Sequence, residues 1–190
     1  MNKQNAKLAH KMAYLDNPER NAIISPQEIF ELISPSEKPT ILDIGAGTGF
    51  LTIPAAKAFG GKVVALDMDK DMLDIIEERA KKEDLEDIEL LFGNAENIAL
   101  ADNSVDTSLA SLVLHEMHDL NKVLIELNRI TKAKGQLICL EFEKEEASEK
   151  HMHNRISSNE METALIMAGF KPIKKSHLAQ HMYLLVAEKE

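Results

Sequence analysis

The sequence predicts an α/β fold, a doubly wound and mostly parallel sheet with helices on both faces. Three observations predict it. Apolar runs of strand length alternate with stretches whose apolar residues recur at helical spacing, and a glycine-rich turn joins the first such run to a helix. The last two β-type runs lie too close together for a crossover helix.

Ser25-Pro26-Gln27-Glu28 offers an N-cap, a proline at the first helical position and an acid three residues after the cap, which predicts a helix ending near Ser34-Pro35. Thr40–Ile44 is a short apolar strand. Leu51–Phe59 is a helix closed by Gly60-Gly61, starting late because Pro54 must fall in its first turn. A second buried strand, Lys62–Leu66, leads to a helix carrying Met72, Leu73, Ile76 and Ala80 on one face. The third strand covers Ile88–Phe92 and the fourth Val105–Leu114. A helix from about Asp119 to Thr131 turns Val123, Leu124, Leu127 and Ile130 inward, and Gln136–Phe142 is the fifth strand. Ser157 and Glu160 cap a helix with Met161, Ala164, Leu165 and Ala168 inward, ended by Gly169. Lys171–Ser176 and His181–Ala187 then pair antiparallel, making seven strands, because a parallel pair needs about a dozen connecting residues.

At 190 residues the chain is expected to be one domain, with residues 1–24 as a cap over the site. Thirty-two acidic against 22 basic residues, with no Trp, argue against a nucleic-acid binder, which needs a cationic face and stacking platforms. No apolar run reaches the ~18 residues of a membrane span and none follows the first residues as a signal segment would, so a cytoplasmic protein with no membrane partner is expected. Cys139, the one cysteine, lies in the apolar run Gln136–Leu140 and reads as core.

The strongest local signal is Leu42-Asp43-Ile44-Gly45-Ala46-Gly47-Thr48-Gly49-Phe50, a strand running into a glycine turn that opens a helix. Glycines there bring bare backbone against a ligand, since a Cβ would fill that space. A dinucleotide fingerprint would require glycine at position 50, which is Phe50, and this disfavours a nucleotide-dependent oxidoreductase. Asp67, eighteen residues beyond Gly49 at the end of the second strand, stands where a carboxylate accepts hydrogen bonds from ribose hydroxyls.

With these residues the sequence resembles the class I S-adenosylmethionine-dependent methyltransferases, whose sheet is Rossmann-like, and most closely in look the ubiquinone and menaquinone type. Asp43-Ile44-Gly45-Ala46-Gly47-Thr48-Gly49 matches that family's D-x-G-x-G-x-G turn, and Ala65-Leu66-Asp67-Met68-Asp69 with Met72 its ribose segment. Phe92-Gly93-Asn94-Ala95-Glu96, Ser104-Val105-Asp106, Leu114-His115-Glu116 and Arg129–Leu137 follow in the family's order. The resemblance implies S-adenosyl-L-methionine as cofactor, held by Asp43, Gly45, Ala46, Gly47, Gly49, Asp67, Met68, Met72, Asn94, Ala95, Glu96 and Ser111. In particular, Asp67 would hold the ribose, Met68 and Met72 would flank the adenine, and Asn94 with the Ala95 backbone would read its edge. The chain departs from the pattern at Asn94, where an aspartate is frequent, and at Ala133-Lys134, where Pro-Gly is usual.

Methyl transfer from a sulfonium needs alignment and a dry pocket, not a protein nucleophile. The acceptor must lose its proton, so His115 and Glu116, at the exit of the fourth strand, are the catalytic candidates. Glu141 and Glu143 alternate at the end of the fifth strand, where one of them faces the acceptor or both are surface acids; His118 is a weaker candidate. His151, His153, His177 and His181 bring no local carboxylate to complete a ligand set, so no metal is expected. Ala110-Ser111-Leu112-Val113 lacks the Asn-Pro-Pro-Tyr pattern used on exocyclic amines, and one cysteine is too few for an arsenic substrate. A small, moderately polar acceptor is expected in preference to one with a long isoprenoid tail. A cofactor-binding module without transfer activity is the alternative.

Overall fold

The computed structural model describes residues 3–18, 24–34, 36–144 and 155–190. Its elements are α1 (Lys3–Leu15), α2 (Pro26–Phe30), β1 (Ile41–Ile44), α3 (Thr52–Ala58), β2 (Val63–Asp67), α4 (Lys70–Lys82), β3 (Ile88–Phe92), β4 (Val105–Ser111), α5 (Leu120–Ile130), β5 (Thr131–Phe142), α6 (Ser158–Met167), β6 (Phe170–Leu178) and β7 (Met182–Lys189). The seven strands lie in the order β3-β2-β1-β4-β5-β7-β6. The first five run parallel, and β7 is inserted antiparallel to both β5 and β6. β1 and β4 sit side by side where the strand order reverses, so the crevice beyond their carboxyl ends is the place for a ligand.

Both faces of the sheet are covered, as the apolar runs require. Alternate residues of β5 part to opposite sides: Leu137 and Cys139 join Val123, Leu124 and Leu127 of α5 with Met161 and Leu165 of α6. Ile138 and Leu140 pack with Ile29 and Phe30 of α2 and Ala55 of α3. Helix starts are local chemistry: Ser25 with Glu28 and Ser157 with Glu160 form reciprocal capping boxes at α2 and α6.

Three element boundaries differ from the sequence reading. The helix after Ser25 stops at Phe30, where the chain turns to bury Ile33. β5 begins directly at Thr131, which pairs with Val105 and is followed by an irregular register, with Lys134 at φ 65° making the turn. β4 ends at Ser111 and not Leu114, because Leu112 takes the left-handed conformation (φ 54°) and residues 114–116 form a single 3₁₀ turn.

One buried polar atom has no partner among the described residues, the hydroxyl of Ser108, in register between Leu42 and Leu137. Ser108→Ala is expected to raise stability by about 1 kcal/mol by removing an unsatisfied group. A lowered urea midpoint would mean that the hydroxyl has a partner.

Candidate active site

The carboxyl ends of β1, β2 and β4 open on a cavity of about 420 Å³. Its floor is Gly45 and Gly47, one end is Asp67, Met68, Asp69, Asn94 and Ala95, and the other is Ser111, Leu112, Val113, His115, Glu116, Met117 and Phe142. Lys11, Tyr14 and Leu15 of α1 form a further wall. A smaller chamber beside it, with Asp43, Ala46, Phe50, Leu51, Leu140 and Met182, shares Gly45, Gly47, Ser111 and Leu112 with the first.

Gly45 is at φ 60°, and a Cβ there would overlap Cγ2 of Val113. The turn and the segment after β4 are thus packed backbone against side chain, which only glycine permits. Asp67, 9% exposed, ties this turn to the next helix: one carboxylate oxygen accepts from the Gly47 N–H at 2.8 Å and the other from the Asp69 N–H at 2.8 Å. A carboxylate has about four acceptor sites, so two remain for the vicinal hydroxyls of a ribose. Asn94 spends its amide oxygen on the Glu96 N–H at 2.9 Å, which fixes the amide's orientation at the cavity edge. Met68 is 75% exposed at the lip of the cavity. With a bare glycine turn, half of the Asp67 acceptor capacity free and a cavity of this size, the residues fit S-adenosylmethionine.

Asp43 and Ala46 line only the smaller chamber, and three assigned residues line neither. Met72 is fully buried on the inner face of α4 and cannot flank an adenine. Gly49, at φ 88°, faces Ile53 and Ile76, so its lack of a Cβ serves the core. Glu96 lies outside the lining, about 4.0 Å from His118 and Lys122, and His118 itself is almost fully exposed. Asp43 is buried beneath the turn and accepts the Thr52 hydroxyl at 2.6 Å. Burial pushes its pKa up to about 7. Because the folded state then holds this proton more tightly than the unfolded chain, the contribution of Asp43 to stability is fully present below about pH 4 and is lost as pH rises through about 7. Asp43→Asn is expected to flatten that slope in melting curves at pH 5 and 8, and an unchanged slope would mean that the carboxyl is ionised in the fold.

At the opposite end of the cavity Glu141 is 1% exposed. One of its oxygens accepts from the backbone N–H groups of Val113 (3.0 Å), Leu114 (2.7 Å) and His115 (3.4 Å), which pulls the chain into the turn that ends β4. The other lies 2.6 Å from Nδ1 of His115. A carboxylate only accepts, so Nδ1 carries the proton and Nε2 is left as the acceptor nitrogen. This hydrogen bond raises the His115 pKa above the ordinary imidazole value, against burial and the nearby Arg155 guanidinium, which stacks 4.7 Å from the Phe142 ring centroid. Glu116 lines the cavity with its side chain largely exposed, 3.9 Å from Nε2. Sequence reasoning left Glu141 between two roles and missed this one. The available signal was an acid in the apolar run Leu137–Phe142, since a buried acid must find donors.

Glu143 is not among the residues lining the cavity; it accepts from the Ser158 N–H at 2.8 Å and lies 3.5 Å from His177. His151 and His153 lie outside the described residues. Among the described residues no His, Cys, Asp or Glu group of three gathers to hold a metal, and no helix is long and apolar enough to cross a membrane.

Comparison with known proteins agrees with this geometry. Residues 42–139, just over half of the chain, match the methyltransferase domain family. The chain is 34% identical over 137 residues to the demethylmenaquinone methyltransferase of Bacillus velezensis, covering 67% of this chain and 59% of that protein. It is 38% identical over 102 residues to that of a Geobacillus species, covering 53% and 44%. The chain therefore spans only about half of the length of these relatives. A crystal structure of a SAM dependent methyltransferase from Aquifex aeolicus superposes with a TM-score of 0.85 at 27% identity, over 95% of this chain and 98% of that one. Fold, glycine turn and sequence relatives agree, and the chain belongs to the class I methyltransferases that use S-adenosyl-L-methionine as cofactor.

Proposed function

We propose that this protein methylates a small acceptor bearing an acidic hydroxyl, a phenol, enol or quinol head group, with His115 as the proton acceptor and Glu141 holding it. The observation that carries this is the 2.6 Å contact between Nδ1 of His115 and buried Glu141 at the wall of the cavity that also contains the glycine turn and Asp67. When bound, S-adenosylmethionine supplies an electrophilic methyl group on a sulfonium. Asp67 accepts the ribose hydroxyls, Met68 covers the adenine, and the Gly45–Gly47 backbone receives the amino-acid end. Nε2 of His115 takes the acceptor's proton, and Glu141 stabilises the imidazolium that results. Leu112, Val113, Met117 and Phe142 exclude water and offer an apolar face to a flat acceptor. The relatives named for demethylmenaquinone support this acceptor class. An apolar chamber beside an imidazole suits the same chemistry.

The test is calorimetric titration with S-adenosylmethionine and S-adenosylhomocysteine, then transfer of labelled methyl to a panel of phenols, enols and quinols. Binding with product on an acidic hydroxyl compound, or on the carbon it activates, is the expected result. Binding without product over the whole panel would favour a non-catalytic binding module, and absence of binding would remove the activity altogether.

A further inference from the structure

The helix α1 crosses the cofactor end of the cavity but is scarcely part of the core. From Ala6 to Pro18 no residue is fully buried, and only the stripe Leu8, Met12, Leu15 with Asp16 is half-buried. Leu15 lies within 3.3 Å of where a Cβ of Gly47 would stand, so the helix rests directly on the glycine turn. Polar ties hold it there from two sides. Lys11 pairs with Asp69 at 2.6 Å, next to the ribose carboxylate Asp67. At the other end Arg79, in the last turn of α4, reaches both oxygens of Asp16 (2.6 and 3.2 Å) and the Thr48 carbonyl (2.8 Å) with one guanidinium. The Thr48 hydroxyl also donates to Asp16, at 2.7 Å. A planar fork that grips a carboxylate and a carbonyl together is a geometry that lysine cannot reproduce.

A segment with so little buried apolar surface opens easily, and what keeps it closed is the set of polar ties. We propose that Arg79 is a positioning residue for the cofactor: through Asp16 and Thr48 it pins α1 across the glycine turn, and release of this pin sets the rate at which the cofactor leaves. The inference rests on the cofactor reading above. The sequence offered no hint of it, since Asp16 and Arg79 are 63 residues apart and neither lies in a recognisable motif.

The test is the dissociation rate of S-adenosylhomocysteine by stopped flow, with amide hydrogen exchange over residues 6–16, in the wild type, Arg79→Lys, Arg79→Ala, Asp16→Asn and the Arg79→Ala/Asp16→Asn double variant. Asp16→Asn leaves the Arg79 contact with Thr48 and the core untouched, so it reads the pin even if Arg79→Ala folds poorly. Expected are a dissociation rate raised at least about tenfold in each single variant, Arg79→Lys included, and faster exchange confined to α1. The double variant should be no worse than the more affected single one, because the two residues act as one unit. Binding by the wild type with an unchanged dissociation rate in Asp16→Asn and Arg79→Lys would overturn the pin and leave the cofactor reading intact. Failure of the wild type to bind would overturn both.

Discussion

Replacing Glu141 with Gln is expected to lower turnover by about 10²- to 10³-fold while leaving cofactor affinity within about twofold. The amide oxygen of Gln still accepts the N–H groups of Val113, Leu114 and His115, so the turn survives. Its NH₂ now faces Nδ1 of His115, which must become an acceptor, and the proton moves to Nε2. The imidazole then presents a donor where a base is needed. The pH profile separates this from simple damage. If His115 is the base, wild-type activity is expected to require its neutral form and to rise with pH through a midpoint above the ordinary imidazole value, because Glu141 stabilises the protonated ring. In Glu141→Gln the midpoint should fall along with the plateau, and His115→Ala should abolish the pH step. Equal loss of cofactor binding and turnover would mean that both residues are structural. Glu141→Ala is a different experiment, since three buried N–H groups lose their acceptor at about 1–3 kcal/mol each and folding itself is endangered.

Asp67→Ala is the second large effect, a weakening of S-adenosylmethionine binding by about 1–3 kcal/mol, or roughly 5- to 150-fold in Kd. Two contributions are mixed in it: the ribose contact, and the Gly47 and Asp69 N–H groups left without their acceptor. A 2′-deoxy cofactor analogue parts them. The wild type should bind the analogue more weakly than the parent, and the variant should bind the two alike. If the variant still distinguishes them, another residue holds the ribose and Asp67 serves only the turn.

Much of this was legible in the residues, because it depended on local rules. Capping boxes at Ser25 and Ser157, the glycine spacing that disfavoured a dinucleotide, and the short connection between the last two strands each follow from one backbone constraint. What escaped was set by contacts across the sheet. The fourth strand appeared to run through Leu114 because Leu112, Val113 and Leu114 are good strand residues. The Glu141 carboxylate, 27 residues beyond Leu114, gathers the N–H groups of Val113, Leu114 and His115 and ends it early. Met72 belonged to the adenine by position in a motif, yet the helical stripe that also contains Leu73, Ile76 and Ala80 takes it inside. The periodicity had already placed it there, and the periodicity was the better guide.

The placement of β7 has a consequence for how the site comes into being. Glu141 sits opposite Tyr183, in a strand whose other neighbour is β4, so the carboxylate is walled in only when residues 182–189 have slotted between β5 and β6. The cofactor end of the cavity, by contrast, is built from β1, β2 and β4 with their following loops. The end proposed to handle the proton depends on a pairing about 40 residues further along the chain. The proposed base is thus ordered by a strand that follows it in the chain, whereas the glycine turn and Asp67 belong to elements that precede it.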